Sequence, residues 1–298
     1  MQIVDRRARL IAIAEALGVT VILGSTLVFV KLALHHMGPL GIMAGRYSLA
    51  FAMLVPFLLI RGGFGQYPCS LWIRFILLAV SFHVVGNGAL YVGLRLMPAT
   101  TASLLLSFVP LLVMLGGAFL LGEIPTQTQF TGLTVVIIGS AIFFSPGLRP
   151  GEPLGIAIAS IGLMGNAAFA VLGRDVQRGK LTDTLTLTAI PLGVAGIMLL
   201  PLALLIEGLP RAPPAIWATI LLLAGLNTAG VYTLMNHALR VLAAFEMSVM
   251  VNLTPLLTGL WSWLLLSEKL LMVQVVGIIV VILGVILVER GKHNMQMY

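Results

Sequence analysis

Residues 95–139 read RLMPATTASLLLSFVPLLVMLGGAFLLGEIPTQTQFTGLTVVIIG, and residues 240–284 read RVLAAFEMSVMVNLTPLLTGLWSWLLLSEKLLMVQVVGIIVVILG. Laid over one another at a shift of 145, they align Arg95 with Arg240, Pro110 with Pro255 and Glu123 with Glu268. Gln129 meets Gln274, Gly132 meets Gly277 and Gly139 meets Gly284. The same shift carries Pro56 onto Pro201 and Trp72 onto Trp217. Leu and Ala matches come cheaply in so apolar a chain, but Pro, Trp, Arg, Glu and Gln matches do not. The chain is therefore read as two copies of one unit, residues 1–146 and 147–298.

Composition fixes the solvent. The chain has 298 residues, of which 59% are hydrophobic and 9% charged, with a mean hydropathy of +1.10. A soluble domain carries about 25% charged residues, so the expected partner of this surface is the lipid bilayer. The net charge of +7 does not point to nucleic acid, because the basic residues stand singly at the ends of apolar runs. The single cysteine, Cys69, cannot close a disulfide within the chain. Asp5, Arg6, Arg7 and Arg9 precede a long apolar run without a convincing small-residue cleavage site, which predicts an uncleaved first span.

A membrane helix needs about 20 apolar residues. Ten segments qualify: approximately 9–33, 38–61, 70–94, 98–121, 127–145, 153–173, 184–206, 214–239, 243–266 and 271–289. Their apolar runs are continuous rather than alternating, which favours an all-α membrane protein over a closed barrel. Arg6, Arg7, Arg9, Arg61, Arg74, Arg174, Arg178, Lys180, Arg240, Arg290 and Lys292 fall on one side, against Lys31, Arg46, Arg95, Arg149, Arg211 and Lys269 on the other. That asymmetry predicts both termini in the cytoplasm. Five crossings per copy insert the second copy upside down. The expectation is two inverted five-helix repeats around a central cavity.

Polar residues within the spans mark the candidate site. His83, Asn87 and Tyr91 follow at four-residue steps on span 3, and the shift places Thr228, Tyr232 and Asn236 at the equivalent positions of span 8. On spans 4 and 9, Ser103 and Ser107 answer to Ser248 and Asn252, while Asn166 on span 6 answers to Ser25 on span 1. Such groups are costly in hydrocarbon, so these faces are expected to line a wet cavity or to join helices. Pro110 and Pro255 stand near the middle of spans 4 and 9 as candidate helix kinks. His83 and Glu15 are candidate gate or proton sites. Glu246, Glu123 and Glu268 read as dipole and capping residues, with Thr126 and Gln129 at capping-box spacing. Lys31 and Arg46 read as snorkelling cations.

These residues resemble a known family. Gly93-Leu94-Arg95, Pro98-Ala99, Ser103, Pro110, Gly122-Glu123, Gln129 and Gly132 are similar to the repeat signature of the EamA-type drug/metabolite transporters. The second copy follows with Asn236-His237-Ala238-Leu239-Arg240, Ala244, Ser248, Asn252, Pro255, Glu268, Gln274 and Gly277. The resemblance implies a cavity lined by helices 1, 3, 4, 6, 8 and 9, and export of amino acids or other small metabolites across a bacterial inner membrane. One departure is Leu23-Gly24, where the family often has Trp-Gly.

The residues favour a secondary transporter, with a small-molecule substrate, no cofactor and no metal. An amino acid, aromatic ones included, suits neutral hydrogen-bonding groups beside Phe29, Tyr91, Phe108, Phe169 and Tyr232. Spans 3, 4, 8 and 9 offer no cation pair for a phosphate. The alternatives are an exporter of another metabolite or drug, and a passive channel. An intramembrane enzyme is disfavoured because Asp5, Asp175 and Asp183 all lie near ends or loops. The expected working unit is a monomer.

Overall fold

The computed structural model describes residues 6–61, 65–93, 96, 104–147, 152–254, 256–257 and 271–293, with the side chains of 6, 27, 28, 31, 91, 147, 292 and 293 left aside. Among the described residues the regular structure is entirely helical, and nine helices are long and apolar enough to cross a bilayer. Span 1 is Arg6–Leu34, span 2 Pro39–Ile60, span 5 Gln127–Phe144, span 6 Pro153–Arg178, span 7 Thr184–Ile206 and span 10 Met272–His293. Span 3 joins Cys69–Leu78 to Asn87–Gly93 through a π-helical turn, Ala79–Gly86. Span 8 joins Pro214–Ala224 to Val231–Ala238 through another, Gly225–Gly230. The regular part of span 4 is Val109–Leu121, and of the expected span 9 the described helix is Ala244–Val251. The rest of the run to 266 lies largely outside the described residues.

Small residues set the closest packing. A Cβ on Gly132 would stand 2.7 Å from the Val288 nitrogen, and one on Gly139 2.7 Å from the Val281 nitrogen. On the facing helix, a Cβ on Gly284 would stand 2.7 Å from the Val136 nitrogen, and one on Gly277 2.6 Å from the Phe143 nitrogen. As the contact moves up span 5 it moves down span 10, so the two helices run antiparallel with backbones touching. Spans 2 and 7 meet the same way: Gly193 faces the Phe51 ring and Gly196 faces Ser48. The outer surface is apolar, with Phe119 84% and Leu205 83% exposed, as lipid contact requires.

Helix ends are satisfied across the fold. Thr126 and Gln129 form the expected capping box on span 5. Gly122, at φ +65°, ends span 4 in the left-handed conformation that glycine adopts without strain. Span 6 runs five residues past the expected 173, to Arg178. Its extension places Arg174 against Glu123 at 2.8 Å and against the Leu239 carbonyl at 2.6 Å, while Arg178 donates to the Leu121 carbonyl at 2.7 Å. Two cations thereby serve carbonyls at the last turns of spans 4 and 8. Arg9 bridges Glu246 at 3.3 Å and Glu289 at 2.9 Å, tying the starts of spans 1 and 9 to the last turns of span 10. The face carrying these chain ends is called the terminal face below.

Candidate functional site

The π-turn of span 3 carries Phe82 and His83 into a cluster of rings. His83 is 1% exposed and its ring centroid lies 4.5 Å from Tyr47, 5.4 Å from Tyr232 and 5.9 Å from Phe169. Phe82 stacks on Phe169 at 4.5 Å. Four spans, 2, 3, 6 and 8, each contribute to this cluster. Within it the His83 Nδ1 finds no hydrogen-bond partner among the described residues, a costly state for a buried polar atom and a common mark of function. One turn on, the Asn87 Nδ2 donates to the Tyr47 hydroxyl at 3.0 Å.

The π-turn of span 8 is polar instead. Arg46 donates from Nε to the Thr228 hydroxyl and from Nη2 to the Asn227 carbonyl at 2.9 Å. Its guanidinium also lies 5.9 Å from the Tyr47 ring centroid. A π-turn leaves a carbonyl without its usual helical donor, and the cation supplies one. Arg46 is thus buried rather than snorkelling outward. The expectation failed because span 8 offers acceptors inside the membrane. Deeper along span 8, Asn236 donates to the Thr188 hydroxyl at 3.0 Å, and that hydroxyl lies 3.5 Å from the Tyr232 carbonyl.

Elsewhere, Asn252 donates to the Ser107 carbonyl at 3.4 Å, joining two positions related by the shift of 145. Asn166 donates to Gly162 of its own helix at 2.8 Å, with its amide against Gly86. Ser248 is partly buried on Ala244–Val251. Pro110 is buried in the first turn of Val109–Leu121, after a break at Ser107–Phe108. Ser103, Pro255 and the Tyr91 side chain lie outside the described residues.

A cavity of about 600 Å³ opens on the terminal face between spans 1, 2, 7 and 8, lined by Glu15, Leu54, Phe57, Thr184, Thr233 and His237, among others. Inside it, His237 Nδ1 lies 2.8 and 2.9 Å from the two carboxylate oxygens of Glu15. Thr233 neighbours Tyr232 on span 8, and Thr184 lies one turn from Thr188 on span 7. The cavity lining thus adjoins Tyr232 of the ring cluster in sequence along span 8.

The apolar helices, the duplicated sequence and the buried polar groups find their match in known proteins. The sequence profile of the EamA-like transporter family fits residues 10–145 and again residues 153–290. The chain belongs to the EamA-like transporter family. It is similar to YcxC of Bacillus subtilis, named as an uncharacterized transporter, at 25% identity over 89% of this chain and 88% of that one. An uncharacterized transporter of Archaeoglobus fulgidus is 27% identical over 90% and 93% of the two chains. PecM of Dickeya dadantii is 27% identical over 74% of each. A solved crystal structure shares the fold, with a TM-score of 0.80 and 19% identity over 95% of this chain and 98% of that one.

Within this EamA-like chain, the structure brings His83 and Tyr232 together and joins Asn87 to them through Tyr47. Asn236 and Thr228 lie on the same helix but are spent on Thr188 and Arg46. Glu15 lies in the terminal-face cavity. That cavity is built from spans 1, 2, 7 and 8, whereas the resemblance implied helices 1, 3, 4, 6, 8 and 9. Sequence alone assigns no site role to Tyr47, Phe82, His237 or Arg61. Of these, His237 carried a signal: an ionisable residue directly after Asn236 near a span end.

Proposed function

We propose that this chain is a carrier for a small organic solute, working by alternating access between two inverted five-span halves. The observation that carries this reading is the antiparallel pairing of equivalent helices. Gly132 faces Val288 as Gly277 faces Phe143, and Gly139 faces Val281 as Gly284 faces Val136. Each pair of contacts exchanges under the shift of 145, which is what a two-fold axis in the membrane plane produces. Halves related in this way can trade conformations and open to either side. The Asn252–Ser107 contact joins two positions related by the same shift and supports this reading.

The solute is an amino acid or a closely related metabolite, aromatic ones included. Four rings around an unpartnered imidazole offer an apolar body with polar points, and Arg46 beside Tyr47 adds a cation that no carboxylate pairs among the described residues. The working unit is a monomer in a bacterial inner membrane, with both termini cytoplasmic and the direction outward. It acts as a carrier and not as an enzyme.

Counterflow in proteoliposomes loaded with mixed amino acids is the test. Saturable exchange that His83→Ala slows at least about tenfold, without loss of folded protein, supports the reading. Linear, non-saturating flux would instead mark a channel. Exchange of other metabolites but no amino acid would leave a carrier of a different substrate class.

A further inference from the structure

The cavity on the terminal face is lined by groups of both signs of charge on different helices. Glu15, on span 1, has a side chain only 17% exposed and is held by His237 of span 8. Arg61 ends span 2, and Arg240 follows span 8 with its Nε on Gln177 at 3.1 Å. Among the described residues the one ion pair within this group is the Glu15–His237 contact, and Arg61 and Arg240 line the cavity without a carboxylate partner. The same cavity has an apolar part, with buried Leu54 and exposed Phe57 in its lining.

We propose that this cavity is a binding site for a zwitterionic amino acid with an apolar side chain. It shares no lining residue with the His83 ring cluster. The ammonium group pairs with Glu15, displacing His237. The carboxylate pairs with Arg61 and Arg240, which present several N–H donors to two oxygens. The side chain lies on Leu54 and Phe57. An opposite charge at each end selects zwitterions over plain cations or anions, because a compound lacking one charge leaves the other protein group unmatched. A volume of about 600 Å³ is within the range of small-molecule sites.

The inference rests on the carrier reading above, since it names an early station for that solute. It is tested on the full-length protein in detergent by equilibrium binding of labelled L-phenylalanine and L-leucine. Unlabelled L-phenylalanine, N-acetyl-L-phenylalanine and L-phenylalaninamide serve as competitors. Each derivative is expected to compete at least about tenfold more weakly than L-phenylalanine, the scale of one lost charged contact. In Glu15→Gln the parent and the N-acetyl compound should converge while the amide stays weak. In the Arg61→Gln/Arg240→Gln double variant the parent and the amide should converge instead.

Equal competition by all three compounds in the unsubstituted protein overturns the proposal. So does the absence of specific binding of both amino acids, or competition gaps that persist unchanged in the variants. If the selective pattern appears but proteoliposomes show no counterflow, the carrier reading fails and the site stands. If counterflow is robust but the competitors are not told apart, the carrier stands and this site falls.

Discussion

The two π-turns occupy equivalent places in the two halves, yet they are filled in opposite ways. In span 3 the turn Ala79–Gly86 presents Phe82 and His83, and it packs on span 6 through glycine. A Cβ on Gly165 would stand 2.3 Å from the Ser81 carbonyl, and one on Gly162 2.8 Å from the Gly86 carbonyl. In span 8 the turn Gly225–Gly230 presents Asn227 and Thr228 at the same two positions. The fully buried Asn227 amide reaches the Ile22 carbonyl at 2.9 Å, the Ser25 hydroxyl at 3.1 Å and the Thr26 hydroxyl at 2.9 Å of span 1. Arg46 completes it; at the equivalent position in span 7 stands Pro191, which has no donor. One backbone irregularity is thus secured by shape in the first half and by hydrogen bonds in the second. The shape-secured turn frees its side chains to form the ring cluster, while the bonded turn spends them on the fold.

That contrast can be broken by substitution. The largest effect is expected at Gly165→Leu, which forces a side chain against the Ser81 backbone. Backbone cannot swing aside as a side chain can, so a loss of ~3 kcal/mol is expected, the upper end of overpacking costs. Thermal unfolding followed by size-exclusion recovery measures it, and an unchanged midpoint would refute shape as the first half's fastener. Thr228→Val keeps the volume but removes an acceptor from buried Arg46. A loss of about 1–3 kcal/mol is expected, and a neutral result would mean that the second turn does not depend on that bond.

The starts of spans 2 and 7 extend the comparison to the helix ends. Span 2 is capped from across the fold, where the Leu40 and Gly41 N–H groups donate to Glu207 at 3.0 and 2.8 Å. Glu207→Ala should cost about 0.5–2 kcal/mol, read as a lower unfolding midpoint, whereas Glu207→Gln should recover part of it. Span 7 is capped by its own neighbour, Asp183, which accepts from the Leu185 N–H at 2.9 Å and the Thr186 hydroxyl at 2.6 Å. Burial works to raise the Asp183 carboxyl, but the Thr186 side-chain and Thr186 and Leu185 backbone hydrogen bonds outweigh it and hold it below the ordinary carboxylate value. A depressed folded value contributes stability that is present above the unfolded value, about 3.9, and is lost as pH falls through the folded one. Because Asp183 is only partly buried, solvent screens these bonds and the loss should be only a few tenths of a kcal/mol, on the order of an exposed pair. Unfolding midpoints of the native chain and Asp183→Ala should therefore approach one another in acid, and a constant gap would contradict this.

Much of the fold could be read from particular residues. Gly132, Gly139, Gly277 and Gly284 announced close packing, and the backbones of spans 5 and 10 do touch there. Thr126 and Gln129 announced a cap because a capping box is local in sequence. The candidate site was legible only in part. His83 stood out as a titratable group in the middle of an apolar run, but its rings come from spans 2, 6 and 8, and no periodicity says which helices will adjoin span 3. Arg46 was misread because its position along span 2 suggested a route to the headgroups, while its acceptors stood on a helix far along the chain.

Sequence by itself determined the solvent of this protein, its helical class and the doubling of its unit. Those follow from composition and from repeated rare residues, which need no knowledge of neighbours. Only the tertiary structure decided which polar groups meet. Arg46 and Thr228 are 182 residues apart, and Glu15 and His237 are 222 apart. In a bilayer every span is apolar enough to pack on many others, so hydrophobicity places helices in the membrane without choosing their partners. Fit between small residues and the demand that each buried polar group find a mate make that choice.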